Sequence, residues 1–224
     1  MPPKSGDKLV YGVALNDVRG SMSYTDAATG KRVKIPAYRT WANMLKVCYS
    51  PIAPVEHPTY CGVTVCDEWL LFSTFQLWYD ANFVEGYHLN RTLAQPGNKV
   101  FCPVACRFVP QYLSQLVNDV SSKRGSLLGV YYDPAQEKFT STCQFNGKKR
   151  TIGLFADSLQ AHHAWQRFKA DAIVKTVQRY TDEAVVHEDV VQSLLDYAQR
   201  LRSDAAEGVV TLGFSAHSVE SAGV

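Results

Sequence analysis

No stretch of this 224-residue chain approaches the roughly 20 apolar residues that span a bilayer, so no membrane partner is expected. The opening Met1-Pro2-Pro3-Lys4-Ser5-Gly6-Asp7-Lys8 lacks the apolar core of a secretory leader. With no sign of export, the six cysteines (48, 61, 66, 102, 106 and 143) read as reduced, mostly buried thiols in a cytoplasmic setting. None of them stands in CxxC spacing. Disorder and fibrous repeats are excluded as well, because 46% of residues are hydrophobic and only 20% are charged.

What is present is aromatic weight, 12% of residues, and an uneven distribution of charge. Residues 1–122 hold eleven Lys or Arg against nine Asp or Glu, so that segment is nearly balanced. Residues 123–180 hold ten against four, and residues 181–224 two against eight. A compact basic segment beside an acidic one is the asymmetry expected of a module that meets a polyanion. Two solvated surfaces of opposite sign would read the same way.

Periodicity places the elements. Lys31–Pro36 alternates like a strand, while apolar residues at 38, 41, 44, 45 and 48 have helical spacing. The prolines at 51, 54 and 58 predict an irregular loop over 50–58. Cys61–Cys66 reads as a short strand, and a helix is expected from Glu68 to Asn82 with Trp69, Phe72, Phe75, Leu77, Trp78 and Tyr79 inward. A hairpin is expected over 87–109, centred on Gln95-Pro96-Gly97-Asn98, and then a short helix ending near Val120. Ser121–Ser126 is the candidate linker.

Beyond it stand three strand-like runs, Leu128–Tyr132, Lys138–Phe145 and Lys149–Phe155, separated by Asp133-Pro134 and by Asn146-Gly147. Asn-Gly suits a tight hairpin because both positions tolerate positive φ. Phe139, Ser141, Cys143 and Phe145 would face one way, and Lys138, Thr140, Thr142 and Gln144 the other. Asp157 or Ser158 would cap a helix to about Tyr180, with Ala161, Trp165, Phe168, Ala172 and Thr176 on one face. A last helix, Glu183 to about Arg202, is followed by a small acidic stretch expected to fray. The fold class read from this is α+β, with domains 1–120 and 123–180 and an acidic helix and tail over 181–224.

Two runs of residues carry resemblances. Gly129-Val130-Tyr131, Lys138-Phe139, Asn146-Gly147-Lys148-Lys149, Ile152-Gly153-Leu154-Phe155 and the helix with Ala161, Ala164 and Trp165 resemble an Apetala-type (ethylene-response-factor, integrase-like) DNA-binding domain. That domain is a three-stranded antiparallel sheet plus one helix. Gly12-Val13, Asn16-Asp17, Tyr38-Arg39-x-Trp41-x-Asn43-Met44-Leu45 and Cys48-Tyr49 resemble HNH endonucleases of tailed phages. So do Pro58-Thr59-Tyr60-x-Gly62, Thr64-Val65-Cys66-Asp67-Glu68-Trp69, Phe72-Ser73-x-Phe75, and Gly97-Asn98 through Cys106-Arg107-Phe108-Val109-Pro110. The resemblance implies an N-terminal ββα nuclease domain and a phage protein in the host bacterial cytoplasm.

An HNH centre needs a histidine base and a divalent metal, Mg or Mn, on Asp, Asn or His ligands. The resemblance implies a metal-binding acid at Asn90, a base at Arg91 and an Asn ligand near Ala105. All three depart from that pattern, so the centre is expected to be degenerate, with His88 as the one substitute base. Arg91 and Arg107 could still contact phosphate. Cys102-x3-Cys106, with Cys61 and Cys66 upstream, could chelate zinc, but the spacing disfavours it and no metal-ligand set is assigned.

In the resembling DNA-binding domains the sheet enters the major groove. The resemblance and the alternation together assign Tyr131, Lys138, Thr140, Thr142, Gln144, Lys149 and Thr151 to DNA, with Lys148, Lys149 and Arg150 neutralising phosphate. Tyr131, Asp133, Thr142 and Gln144 stand where the plant family favours arginine, which puts guanine-rich readout in doubt. The expected function is a double-stranded DNA-binding protein of HNH descent whose nuclease centre is inactive. The alternatives are an active metal-dependent endonuclease of homing type, and a phage protein that binds and modulates a host protein.

Overall fold

The computed structural model describes residues 9–56, 60–119 and 127–215. The expected linker 121–126, the Pro58-Thr59 pair, the opening octapeptide and the last nine residues lie outside them. The architecture is α+β, and the chain divides into two compact units. The first runs up to Arg91 and adds Asn98–Phe108; the second takes Thr92–Gly97 and everything from Val109 on. The expected division into three segments is therefore replaced by a division into two, since residues 181 onward join the second unit.

The first unit is built on aromatic packing. A hairpin of β1 (Ser23–Thr25) and β2 (Arg32–Lys34) leads into α1 (Pro36–Tyr49), whose Pro36 sits in the first turn, where no N–H is needed. The helix buries Ala37, Trp41, Met44 and Leu45, as the spacing predicted. One helical turn, α2 (Ala53–Glu56), interrupts the loop expected there. Next come β3 (Thr64–Val65), a 3₁₀ turn over Asp67–Leu70 and α3 (Phe72–Asn82). The helix expected from Glu68 thus begins later. Trp69, Phe72, Phe75 and Tyr79 are buried, but Leu77 is 75% exposed and belongs to no core. The Trp41 indole N–H donates to the Trp69 carbonyl at 2.6 Å, which satisfies a polar group sealed inside the cluster. Asp17 accepts from the Ser73 N–H at 2.9 Å and so caps α3 from a distant point in the chain.

The stretch 87–109 is not one continuous hairpin. Strand β4 (His88–Asn90) pairs with β6 (Arg107–Val109), whereas β5 (Val100–Phe101) runs parallel to β3. Helix α4 (Gln111–Val117) follows β6 in the chain, yet its buried Leu113 and Leu116 belong to the second unit. The expected ββα segment is consequently shared between the two units.

In the second unit, β7 (Val130–Asp133), β8 (Lys138–Phe145) and β9 (Lys148–Phe155) form an antiparallel sheet in the order 7-8-9. Asn146 (φ 51°) and Gly147 (φ 71°) make the tight turn between β8 and β9. Gly129 (φ 73°) leaves room for Trp165, since a Cβ there would lie 2.0 Å from the indole Cδ1. A bulge at Ile152 breaks the alternation of β9: Thr142 pairs with Thr151, but Ser141 pairs with Gly153.

Helix α5 (Ser158–Tyr180) is capped by the Asp157 carboxylate, which accepts from the Leu159 and Gln160 N–H groups at 2.9 Å each. It lies against the sheet and along α6 (Glu188–Glu207), with Trp165, Ile173 and Val177 in the core they share. The last helix therefore starts five residues later than expected, after a turn whose Tyr180 hydroxyl accepts from the His187 N–H. Gly208 (φ 75°) ends α6.

Residues 209–215 do not fray but dock back as a strap. The Thr211 N–H donates to His162 Nε2 at 3.2 Å, and Gln166 donates to the Val209 carbonyl and the Thr211 hydroxyl oxygen. Arg200 donates to the Gly213 and Phe214 carbonyls.

Candidate nucleic-acid interface

The sheet of the second unit has one face against α5, and the cross-strand register decides what the other face carries. Residues paired directly across strands share a face. Gln144 pairs with Lys149 and Thr142 with Thr151, while Thr140 lies between Tyr131 and Leu154. Lys138 pairs with Asp133 at the far end. Tyr131, Lys138, Gln144, Lys149, Thr151 and Leu154 are exposed, and Thr142 is half-buried. The Lys149 ammonium lies 4.9 Å from the centre of the Tyr131 ring, a cation–π contact across the width of the sheet.

Three of the sequence-assigned residues sit differently. Thr140 is only 2% exposed: on the central strand, flanked on both sides, its hydroxyl is not offered to a ligand. Lys148 pairs with Phe145 and Arg150 with Cys143, which puts both on the α5 side of the sheet, exposed near the hairpin end. Only Lys149 of that basic triplet stands on the open face. Leu154, 45% exposed, is a face residue that simple alternation misses. Without the Ile152 bulge, Gly153 would have taken its place.

The hairpin of the first unit has a different chemistry. Arg91 is half-buried, and its guanidinium carbon lies 5.1 Å from the Tyr60 ring centre and 5.5 Å from that of Phe101. Its Nη1 donates to the Asn98 carbonyl at 3.1 Å, and the Asn98 side chain donates back to the Arg91 carbonyl at 3.1 Å. Burial lowers the affinity of this guanidinium for its proton, yet it remains a cation at neutral pH. Arg107 Nη1 donates to the carbonyls of Val104 and Cys106, at 3.0 and 2.8 Å, and so braces the preceding loop. Nη1 of each arginine expected on phosphate is thus engaged by backbone carbonyls of the same unit. His88 and Asn90 are half-buried, and burial lowers the His88 pKa. Ala105 is buried and offers no ligand atom.

At the positions where the resemblance would put an acid and a base, the chain has the amide of Asn90 and a guanidinium held by Asn98, neither of which is a hard anionic ligand or a proton acceptor. Burial pushes the Cys48 thiol up to about 11 and the Cys106 thiol up to about 12, so neither is a reactive thiolate at pH 7. Of the six expected as mostly buried, only Cys106 and Cys143 are fully so, and Cys61 is exposed. Among the described residues, no group of three His, Cys, Asp or Glu side chains is placed to hold a metal ion, and no helix is long and apolar enough to cross a membrane. Compared with family models, curated proteins and solved structures, the chain finds no match.

Proposed function

We propose that this protein binds double-stranded DNA through the open face of its three-stranded sheet and does not cleave it. One observation carries the reading. The face opposite α5 presents Tyr131, Gln144, Lys149 and Thr151 together, exposed, on one antiparallel sheet whose long β8–β9 hairpin is the kind of two-stranded ribbon a major groove admits. Lys148 and Arg150 stand at the hairpin end of the same sheet, where flanking phosphates would lie. The fixed Arg91 and the missing ligand at Ala105 support the absence of strand cleavage. This reading agrees with the resemblance to HNH proteins that carry an Apetala-type domain.

The test is duplex binding by fluorescence anisotropy over a range of salt. Affinity should fall steeply as salt rises, and Lys149→Ala should lower the slope by about one released counterion. Absence of binding at low salt would refute the proposal. Plasmid nicking in Mg²⁺ or Mn²⁺ that His88→Ala abolishes would replace it with the nuclease reading.

A further inference from the structure

Resting on that reading, we infer that the open sheet face selects A·T base pairs and does so through the thymine methyl group. The face carries no arginine. Arg150, the one arginine within the sheet strands, pairs with Cys143 and stands on the α5 side. The fork that matches guanine O6 and N7 is therefore missing from the surface that would enter the groove. What stands there instead suits A·T pairs. Gln144 carries an amide that can donate to adenine N7 and accept from its N6 amine. Leu154 is a bare branched alkyl group, 45% exposed, which gains by contact with the thymine C5 methyl. Thr142 and Thr151, cross-strand partners between them, each add a methyl and a hydroxyl.

The bulge at Ile152 is what creates this arrangement. It turns Ile152 and Gly153 toward the α5 side and Leu154 to the open face, so that the apolar tip and the amide share one surface. The row of Gln144 and the row of Leu154 are four residues apart on β8. That is about 13 Å of strand, or roughly four base-pair steps of 3.4 Å. Lys149 is held over the Tyr131 ring and Lys138 pairs with Asp133 at the far end of the sheet; a lysine can donate to guanine O6 or N7, but without the planar fork that arginine brings to both. Asp133, at the far end, is turned into its own loop, where it accepts from the Ala135 N–H and from Gln136.

Three duplexes of equal length test the inference: all A·T, all G·C, and all A·T with uracil in place of thymine. Uracil removes only the C5 methyl, which projects into the major groove, so it separates this mode from A·T preference in the minor groove. The A·T duplex should bind roughly tenfold tighter than G·C, and uracil should cost about threefold or more. Leu154→Ala should shrink the loss that uracil causes, and Gln144→Ala should narrow the A·T to G·C ratio. Both residues are exposed, and unchanged thermal melting confirms that the variants fold. Equal binding to A·T and G·C, preference for G·C, or an A·T preference insensitive to uracil overturns the inference while leaving duplex binding intact. No binding to any duplex overturns both.

Discussion

Gly129 and Gly147 form a matched pair that separates backbone strain from packing. Both have positive φ, 73° and 71°, so an alanine at either meets the same unfavourable left-handed conformation. At Gly147 nothing lies within 4 Å of the added Cβ. There the cost should be the backbone strain alone, about 1 kcal/mol. At Gly129 the Cβ would lie 2.0 Å from Cδ1 and 2.3 Å from Cγ of Trp165. The indole is 1% exposed and cannot swing into solvent without opening the core. Overpacking of this kind adds about 2 kcal/mol, for a total near 3 kcal/mol. With about 4 °C per kcal/mol for a unit of this size, Gly129→Ala should lower Tm by about 12 °C and Gly147→Ala by about 4 °C. Thermal circular dichroism gives the shifts. Fluorine NMR of fluorotryptophan-labelled protein, assigned with Trp165→Phe, shows whether the Trp165 resonance moves in the first variant and stays in the second. Equal Tm losses, or an unmoved Trp165 resonance in Gly129→Ala, would refute the packing argument.

Other perturbations test other regions of the framework. Lys169 is 1% exposed and donates to Asp119 at 2.7 Å. Lys169→Ala should cost about 3 kcal/mol because it strands a half-buried carboxylate, whereas Lys169→Met with Asp119→Leu should come close to wild type in urea melts. Additive losses would contradict this. His162 is fully buried, with Nε2 accepting from the Thr211 N–H, so Nδ1 carries the proton toward the Leu128 carbonyl. Burial depresses its pKa, so the stability it contributes is complete above pH 6.5 and drains away as pH falls through the lower folded value. The slope is at most about 1.4 kcal/mol per pH unit. His162→Gln should flatten the Tm profile between pH 7.5 and 5.5, and an unchanged profile would place the titration elsewhere. Arg91→Ala should destabilise the first unit by about 2 kcal/mol, and Arg91→Lys should not restore it, because a lysine lacks the planar fork. Neither change should weaken duplex binding; a marked loss of affinity in anisotropy would return Arg91 to the interface.

Most elements were legible where one period dominates. Helix α1 follows its stripe of Trp41, Met44 and Leu45, and the β8–β9 hairpin follows Asn146-Gly147. Legibility failed where tertiary partners decide. Leu77 fits the composition of a buried helix yet faces out, because Phe75, Trp78 and Tyr79 already fill the space against Trp69 and Phe108. Asp17, which caps α3 across more than fifty residues of chain, leaves no local signal. On the candidate interface, Gln144 and Lys149 could be placed by alternation, but Leu154 could not, since a bulge changes the phase without changing composition. In one dimension Arg91 reads as a misplaced base with a possible phosphate contact, and only the meeting of Tyr60, Phe101 and Asn98 around it reveals its packing role.

The strap over 209–215 acts as a stopper. Thr211 and Phe214 are buried, and Thr211 also donates its hydroxyl proton to Asp204. Cutting the polypeptide after Gly208 would leave His162 Nε2, the Gln166 amide and Arg200 Nη2 without the partners that the strap supplies. Any tag or reporter is therefore better joined beyond Ser215 than grafted onto the end of the last helix.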